Sequence, residues 1–179
     1  MKNVAFALLL WPTLATADTP LPDLVSDSMA SVEAGVICAP ETTGTLDAPG
    51  TVAGTTHLIA EEPPFIAVTR RVPAVLGIGF GIKSRTLDIN GLNGVTMTVT
   101  HPPMGDGAAT IQTFETTIRG TDPSLTFYQF DFGYELLPGI WQMQASLGDQ
   151  ILYRTTFEVL PPELVPELAE ACGFEDLLS

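Results

Sequence analysis

The feature that most constrains the fold is a run of alternating side chains in the last third of the chain. Between positions 128 and 136 every even residue is apolar or aromatic: Tyr128, Phe130, Phe132, Tyr134 and Leu136. The odd residues between them are polar or small. This alternation predicts a β-strand with one buried face, because successive side chains point to opposite sides of the pleat.

Two further runs with the same period follow Pro138 and Gly139. Gly148 and Asp149 separate these runs and predict a tight hairpin turn. We therefore expect three consecutive antiparallel strands that share one aromatic-rich face. The apolar positions of the second and third runs are Trp141, Met143, Ala145 and Leu147, then Ile151, Tyr153, Phe157 and Val159.

The amino terminus has the pattern of a secretory signal peptide. Lys2 precedes an apolar stretch over residues 4–11, and Ala15, Thr16 and Ala17 supply a small-x-small cleavage site. The apolar stretch is too short to span a bilayer. We predict that residues 1–17 are removed on export and that the mature protein is periplasmic or secreted.

The remaining chain has the length of one domain. Residues 18–31 are rich in Pro, Ser and Asp and predict a flexible leader. Residues 32–179 then form a single domain, in which residues 40–50 are expected to be a loop. No stretch after the leader is apolar for long enough to cross a membrane, so we expect no membrane insertion of the mature chain.

The charge balance limits the possible partners. The sequence has 21 Asp and Glu against 7 Lys and Arg, a formal net charge of −14. Nucleic acids and anionic lipids are bound by positive surfaces. We therefore expect no nucleic-acid partner, and we interpret the acidity as a source of solubility.

The two cysteines, Cys38 and Cys172, lie near opposite ends of the mature chain. An even number of cysteines in an exported protein favours a disulfide, and two cysteines allow one pairing. Leu164, Leu168 and Cys172 have helical spacing, which predicts a short helical turn with these residues on its inner face. The predicted bond would attach this turn to the first strand of the domain.

A second unusual pattern occurs over residues 75–83, where glycines alternate with aliphatic residues. Gly77, Gly79 and Gly81 share one strand face. A phosphate-binding loop needs a strand-to-helix turn, and no helix start follows here. We interpret the bare face as covered by a neighbouring side chain or strand. The alternative is a groove for an extended ligand.

Short apolar alternations separated by Pro- and Gly-rich turns recur along the whole domain. They predict seven to nine short strands and one terminal helical turn. The fold class we expect is therefore all-β, an immunoglobulin-like antiparallel β-sandwich.

Three segments of the sequence carry a resemblance to a known family. They are residues 72–77 (VPAVLG), 98–105 (TVTHPPMG) and 127–132 (FYQFDF). On these segments the chain resembles a family of exported bacterial proteins classed only as a domain of unknown function. The segment around Leu137 and Trp141 also resembles bacterial immunoglobulin-like domains, which implies architecture alone.

The sequence contains little that points to catalysis. There is no G-x-S-x-G motif, and a disulfide would remove both thiols as nucleophiles. The acidic neighbours Glu61 and Glu62 would point to opposite faces of a strand, unlike the carboxylate pair of a glycosidase. We predict no catalytic residues.

The candidate metal ligands are two histidines and two methionines. His101, with Met97 or Met104 and with His57, offers the imidazole and thioether groups that select copper. The alternative is that His101 is structural and ends its strand by bonding a loop carbonyl. We prefer the structural interpretation and predict no cofactor, with copper as the alternative.

The function expected from these observations is an exported, non-enzymatic binding or structural module. It would contact a protein or another envelope component through a sheet edge or loops. The alternative is a small copper-binding or enzymatic module centred on His101.

Overall fold

The computed structural model describes residues 20–172, which form eleven strands and one short α-helix. The strands are β1 (Leu24–Val25), β2 (Met29–Cys38), β3 (Thr42–Asp47), β4 (Thr55–Ile59), β5 (Arg71–Pro73), β6 (Ile78–Thr86), β7 (Leu92–Met104), β8 (Ala109–Ile118), β9 (Ser124–Gln129), β10 (Gly139–Leu147) and β11 (Gln150–Leu160). The helix α1 is Pro166–Glu170. The predicted signal peptide at residues 1–17 and the last residues, 173–179, lie outside the described part.

The strands form two main sheets and one separate hairpin. The first sheet has the order β1-β11-β10-β7-β8, with β5 also paired to β11. The second sheet has the order β2-β6-β9, and β3 pairs with β4 alone. These pairings are antiparallel except for β5 with β11. The predicted fold class, an all-β antiparallel sandwich with a short C-terminal helical turn, is confirmed. The expected number of seven to nine strands was too low, because residues 20–172 contain eleven.

The core lies between the two main sheets and is rich in aromatic side chains. Phe80 of β6 packs against Phe157 of β11, with ring centroids 4.8 Å apart, and against the edge of Trp141 at 5.7 Å. All three are fully buried. The Trp141 indole N–H donates to the Leu137 carbonyl at 3.0 Å, so the one polar atom of this ring is satisfied.

The hairpin predicted over residues 139–159 is present as β10 and β11. Trp141 pairs with Phe157 and Met143 with Thr155. The turn contains Gly148 at φ +56°, a backbone conformation that favours glycine. The period-2 pattern and the turn residues therefore predicted this part of the first sheet correctly.

The prediction of one continuous strand over residues 128–136 was wrong. Strand β9 ends at Gln129, and a 3₁₀ turn follows at Gly133–Glu135. The Glu135 carboxylate accepts the N–H groups of Asp131 (2.6 Å) and Phe132 (2.8 Å), bonds that hold the chain in a turn. The rings of Phe132 and Tyr134 stack on each other at the surface, and Glu135 is buried.

The prediction that three consecutive strands share a sheet was also wrong. Strand β9 pairs with β6 in the second sheet, whereas β10 pairs with β7 and β11 in the first. The turn at Gly133–Glu135 lies between β9 and β10 and carries the chain from one sheet to the other. Phe130 and Trp141 still share a core, because they pack against each other from the two sides of the sandwich.

Two segments expected to lack regular structure contain strands. In the predicted leader, β1 pairs with β11, and β2 begins at Met29, before the expected domain start. The Gln142 amide and the Arg154 guanidinium donate to backbone carbonyls of this segment, which holds it to the sheet. The predicted loop at residues 40–50 contains β3, whose six residues are all exposed.

The carboxyl-terminal segment is tied to β2 by a disulfide. Cys38 and Cys172 are bonded, with their Cα atoms 5.5 Å apart. Leu164 is exposed, whereas Leu168 and Cys172 are half-buried and Cys172 packs against the core. The predicted inner face was therefore wrong at Leu164, because this residue belongs to a separate 3₁₀ turn at Pro162–Leu164. The fully buried residues of the segment are Val165, just before α1, and Ala169.

Candidate functional site

A cleft of about 210 Å³ lies where the outer strands of the two main sheets approach the β3–β4 hairpin. It is lined by residues 55–57 of β4, 114–116 of β8 and 125–129 of β9, and by Asp131 and Glu135 of the turn after β9. We call this space the edge cleft. It combines threonine hydroxyls and aromatic rings with carboxylates and an imidazole, so it can hold a ligand with both polar and apolar parts.

The β3–β4 hairpin is held over the edge cleft by backbone contacts with β8. The Val52 N–H donates to the Gln112 side-chain oxygen at 2.7 Å, and the Thr113 N–H donates to the Gly50 carbonyl at 2.9 Å. A Cβ at Gly50 would lie 2.5 Å from the Thr113 carbonyl oxygen. Glycine at this position therefore permits the close approach of the connecting loop to β8.

A buried hydrogen-bond network forms the base of the edge cleft. The Gln112 amide donates to His101 Nε2 at 3.0 Å and to the Tyr128 hydroxyl at 3.2 Å. The Tyr128 hydroxyl donates to Glu135 Oε1 at 2.7 Å. The network joins β7, β8, β9 and the following turn, so it fixes the positions of the elements around the cleft.

Burial changes the pKa of both acidic groups in this network. Desolvation raises the pKa of the Tyr128 hydroxyl, and the nearby Glu135 charge raises it further. Desolvation also raises the pKa of the Glu135 carboxyl, against the opposite effect of its hydrogen bonds from Tyr128 and the backbone. Tyr128 therefore stays neutral at physiological pH and acts as a hydrogen-bond donor to Glu135.

A second set of hydrogen-bonded side chains lies at the wall of the edge cleft. His57 Nε2 is 2.6 Å from Asp131 Oδ2, and the Gln129 amide donates to Asp131 Oδ1 at 2.7 Å. His57 Nδ1 and Gln129 Oε1 are buried and have no hydrogen-bond partner among residues 20–172. A buried polar atom without a partner is unfavourable, so these atoms mark a place where a ligand or water improves the free energy.

Of the four predicted metal ligands, His101 and Met104 lie in the same buried network, where the Gln112 amide contacts both His101 Nε2 and Met104 Sδ (3.7 Å), and the other two lie elsewhere. Both ring nitrogens of His101 are engaged, because Nδ1–H donates to the Pro102 carbonyl at 2.8 Å and Nε2 accepts from Gln112. Met97 and Met104 are buried in the core, and His57 is paired with Asp131 on another element.

These contacts fit a structural role for His101. Burial lowers the pKa of its imidazole, so the ring is neutral at physiological pH. Within residues 20–172 there is no group of three or more His, Cys, Asp or Glu side chains placed to hold a metal ion.

The glycine face of β6 is in contact with its neighbours. Gly79 and Gly81 are buried on β6, whereas Gly77 lies in the turn before β6 with φ +74°, so the prediction that all three share one strand face was wrong at Gly77. A Cβ would lie 2.9 Å from the β9 backbone at Gly79 and 2.5 Å from it at Gly81. The side chains of Ile37 and Phe127 adjoin these two positions. These contacts leave little space for a ligand groove along Gly77, Gly79 and Gly81. They fit the interpretation that neighbouring side chains and strands cover this face.

Sequence reasoning missed most of the edge cleft. Gln112, Tyr128 and Glu135 form its base, and no spacing in the sequence connects Gln112 with the other two. Glu135 was placed on the solvent face of an assumed strand.

The sequence and the structure were compared with known proteins. A family model described as a domain of unknown function (DUF3859) matches residues 26–159. Among curated proteins, none is similar enough in sequence to count as a relative. A solved structure described as an immunoglobulin-like protein from Pseudomonas aeruginosa shares 19% identity with this chain at a TM-score of 0.49. That match covers 78% of this chain and 98% of the other.

No helix within residues 20–172 is both long enough and apolar enough to cross a bilayer.

Proposed function

The chain belongs to the DUF3859 family, whose function is unknown, and we propose its role from the geometry of the edge cleft. It is an exported, non-enzymatic module that binds a protein or another envelope component in that cleft. The observation that carries this proposal is the cleft itself. Its wall contains two buried polar atoms without partners, His57 Nδ1 and Gln129 Oε1. Such atoms favour an occupant that forms hydrogen bonds.

Two features support export and binding rather than chemistry. The Cys38–Cys172 disulfide is typical of oxidising compartments outside the cytoplasm. The groups around the edge cleft hold one another: Tyr128 bonds Glu135, and His57 bonds Asp131. No free thiol is available to either pair as a nucleophile, because both cysteines are in the disulfide. Fixed polar groups of this kind suit recognition.

The proposal can be tested by site-specific photo-crosslinking in the native envelope. A benzophenone amino acid would replace Thr56, which lines the edge cleft, and as a matched control Thr43, which lies on β3 of the same hairpin away from the cleft. We expect a discrete cross-linked species at position 56 and none at position 43. Equal cross-linking at both positions, or none at position 56, would contradict binding in the cleft.

A further inference from the structure

The edge cleft is bordered by strand edges rather than by strand faces. All of residues 125–129 of β9 line it, although successive side chains of a strand point to opposite faces of its sheet. The same holds for residues 55–57 of β4 and 114–116 of β8. Consecutive residues can border one space only along the edge of a strand. Three strand edges therefore meet at this cleft.

The outer edge of β9 has unpaired backbone groups. Within residues 20–172, β9 ends the second sheet and pairs with β6. The Phe130 N–H donates to the Ile78 carbonyl at 3.0 Å, and the Phe130 carbonyl accepts from Gly77 at 2.8 Å, so Phe130 faces β6. Because this direction alternates along an antiparallel ladder, the N–H and C=O groups of Phe127 and Gln129 point to the opposite side.

The outer edge of β8 is covered by the loop at Gly50 where Thr113 lies, and it is open two residues later, at Glu115. Thr113 donates its N–H to Gly50, so its backbone points away from β7. By the same alternation, the N–H and C=O of Glu115 also point outward, beyond the loop that covers Thr113. Unpaired groups of this kind accept another strand readily.

The charge of the edge cleft selects the sign of its occupant. The acidic side chains at its lining are Glu115, Asp131 and Glu135. Among the described residues that line it there is no Lys or Arg, and the whole chain carries a formal net charge of −14. A positively charged segment is therefore favoured over a neutral or acidic one.

We propose that an extended, positively charged segment of a partner protein adds as a β-strand to the outer edge of β9. This rests on the proposed function and specifies the occupant of the same cleft. The backbone groups of Phe127 and Gln129 pair with the segment, and Glu115 faces its Lys or Arg side chains. Strand addition gives affinity through the backbone and selectivity through side chains.

The experiment selects binders from a phage-displayed library of random decapeptides against the mature protein. Peptides enriched in the selection are expected to carry net positive charge. In amide hydrogen exchange by NMR, a synthetic copy of an enriched peptide should slow exchange at Phe127 and Gln129. A selection that yields no binders or acidic binders would overturn the proposal. Binders that leave both amides exchanging at the free rate would also overturn it.

Matched charge variants test the electrostatic part. Glu115→Gln should weaken binding of the selected peptide by about twofold to fivefold at low salt, as expected for an exposed ion pair. Glu33→Gln makes the same charge change on an exposed position of β2 and should leave binding unchanged. Equal weakening by both variants would show that net charge alone attracts the peptide, which contradicts a paired site.

Two outcomes separate this inference from the proposed function. Cross-linking at position 56 to a species that is not a polypeptide would refute strand addition and leave binding in the edge cleft intact. A dimer of the protein alone, with the Phe127 and Gln129 amides protected, would assign the edge to a second copy and refute the partner segment. Sedimentation equilibrium at the NMR concentration measures this second outcome.

Discussion

Replacing both cysteines, Cys38→Ser with Cys172→Ser, should remove a large part of the stability of the fold. The disulfide joins residues 134 positions apart in the sequence. In the chain-entropy model a loop of that length restricts the unfolded chain enough to stabilise the folded state by about 5 kcal/mol at 25 °C. This amount is comparable to the total stability of many single domains, so the variant should be marginally folded.

The local structure explains why the full effect is expected. The fully buried residues of this segment are Val165, which precedes α1, and Ala169, a small apolar contact for a helix of five residues. A helix this short is not stable alone in water. Without the bond, the terminal segment separates first, and the remaining sandwich unfolds without the restriction on its denatured chain.

The assay is urea unfolding followed by the fluorescence of the buried Trp141. With a slope of about 2 kcal/mol per molar urea, the loss of about 5 kcal/mol moves the midpoint down by about 2.5 M. Wild-type protein reduced before unfolding is the control and should match the double variant. A midpoint shift of less than about 0.5 M, or two free thiols in the unreduced protein by mass spectrometry, would refute the reasoning.

Three further predictions follow from the packing and the pKa shifts. Gly81→Ala should destabilise the protein by about 1–3 kcal/mol because its Cβ would lie 2.5 Å from the Thr126 carbonyl, whereas Gly133→Ala, with no atom within 4 Å, should be close to neutral; equal melting temperatures would contradict this. His101→Ala should lower stability by about 1–3 kcal/mol and leave copper affinity unchanged, and loss of tight copper binding in titration calorimetry would instead establish a metal site. Burial lowers the pKa of His101 below 6.5, so its contribution to stability is present above that pH and is lost as the pH falls. Burial raises the pKa of Glu135, so its contribution to stability is present below pH 4.5 and is lost as the pH rises through the folded-state pKa. His101→Gln and Glu135→Gln should each flatten the corresponding side of the stability–pH curve, and unchanged curves would contradict these assignments.

The parts of the fold predicted from the sequence are those fixed by local pattern. The β10–β11 hairpin follows from apolar positions such as Trp141 and Phe157 and from a turn at Gly148. The disulfide pairing follows from a count of two cysteines. In the hairpin neighbouring residues along the chain carry the information, and in the disulfide the presence of only two cysteines in the sequence leaves one pairing.

The end of β9 could not be predicted, because its determinant is a side chain acting as a backbone partner. Alternation through Phe132 and Tyr134 looks the same whether the chain extends or turns. What decides between them is the Glu135 carboxylate, which bonds two backbone N–H groups and Tyr128. Once the strand ends there, β9 and β10 belong to different sheets.

The edge cleft could not be predicted from the sequence either, because its residues are brought together only by the tertiary fold. Gln112, His57 and Glu135 come from three distant parts of the chain, and none has an unusual neighbour in sequence. Their meeting depends on which strands lie outermost in each sheet. That order is a tertiary property, so residue types and spacing did not indicate it.

The outer edge of β11, at the other end of the first sheet from β8, is covered, and this affects how the protein can self-associate. The outer side of β11 is occupied by β1 at Tyr153 and Arg154 and by β5 at residues 158–160, and the Asp23 carboxylate accepts the Thr156 N–H between them. With this side occupied, a second molecule cannot pair with β11, so polymerisation through this strand is blocked. Residues 20–25 thus cover this edge, and a chain shortened to begin at Ser26 should form soluble oligomers or precipitate under conditions in which a chain that includes residues 20–25 does not.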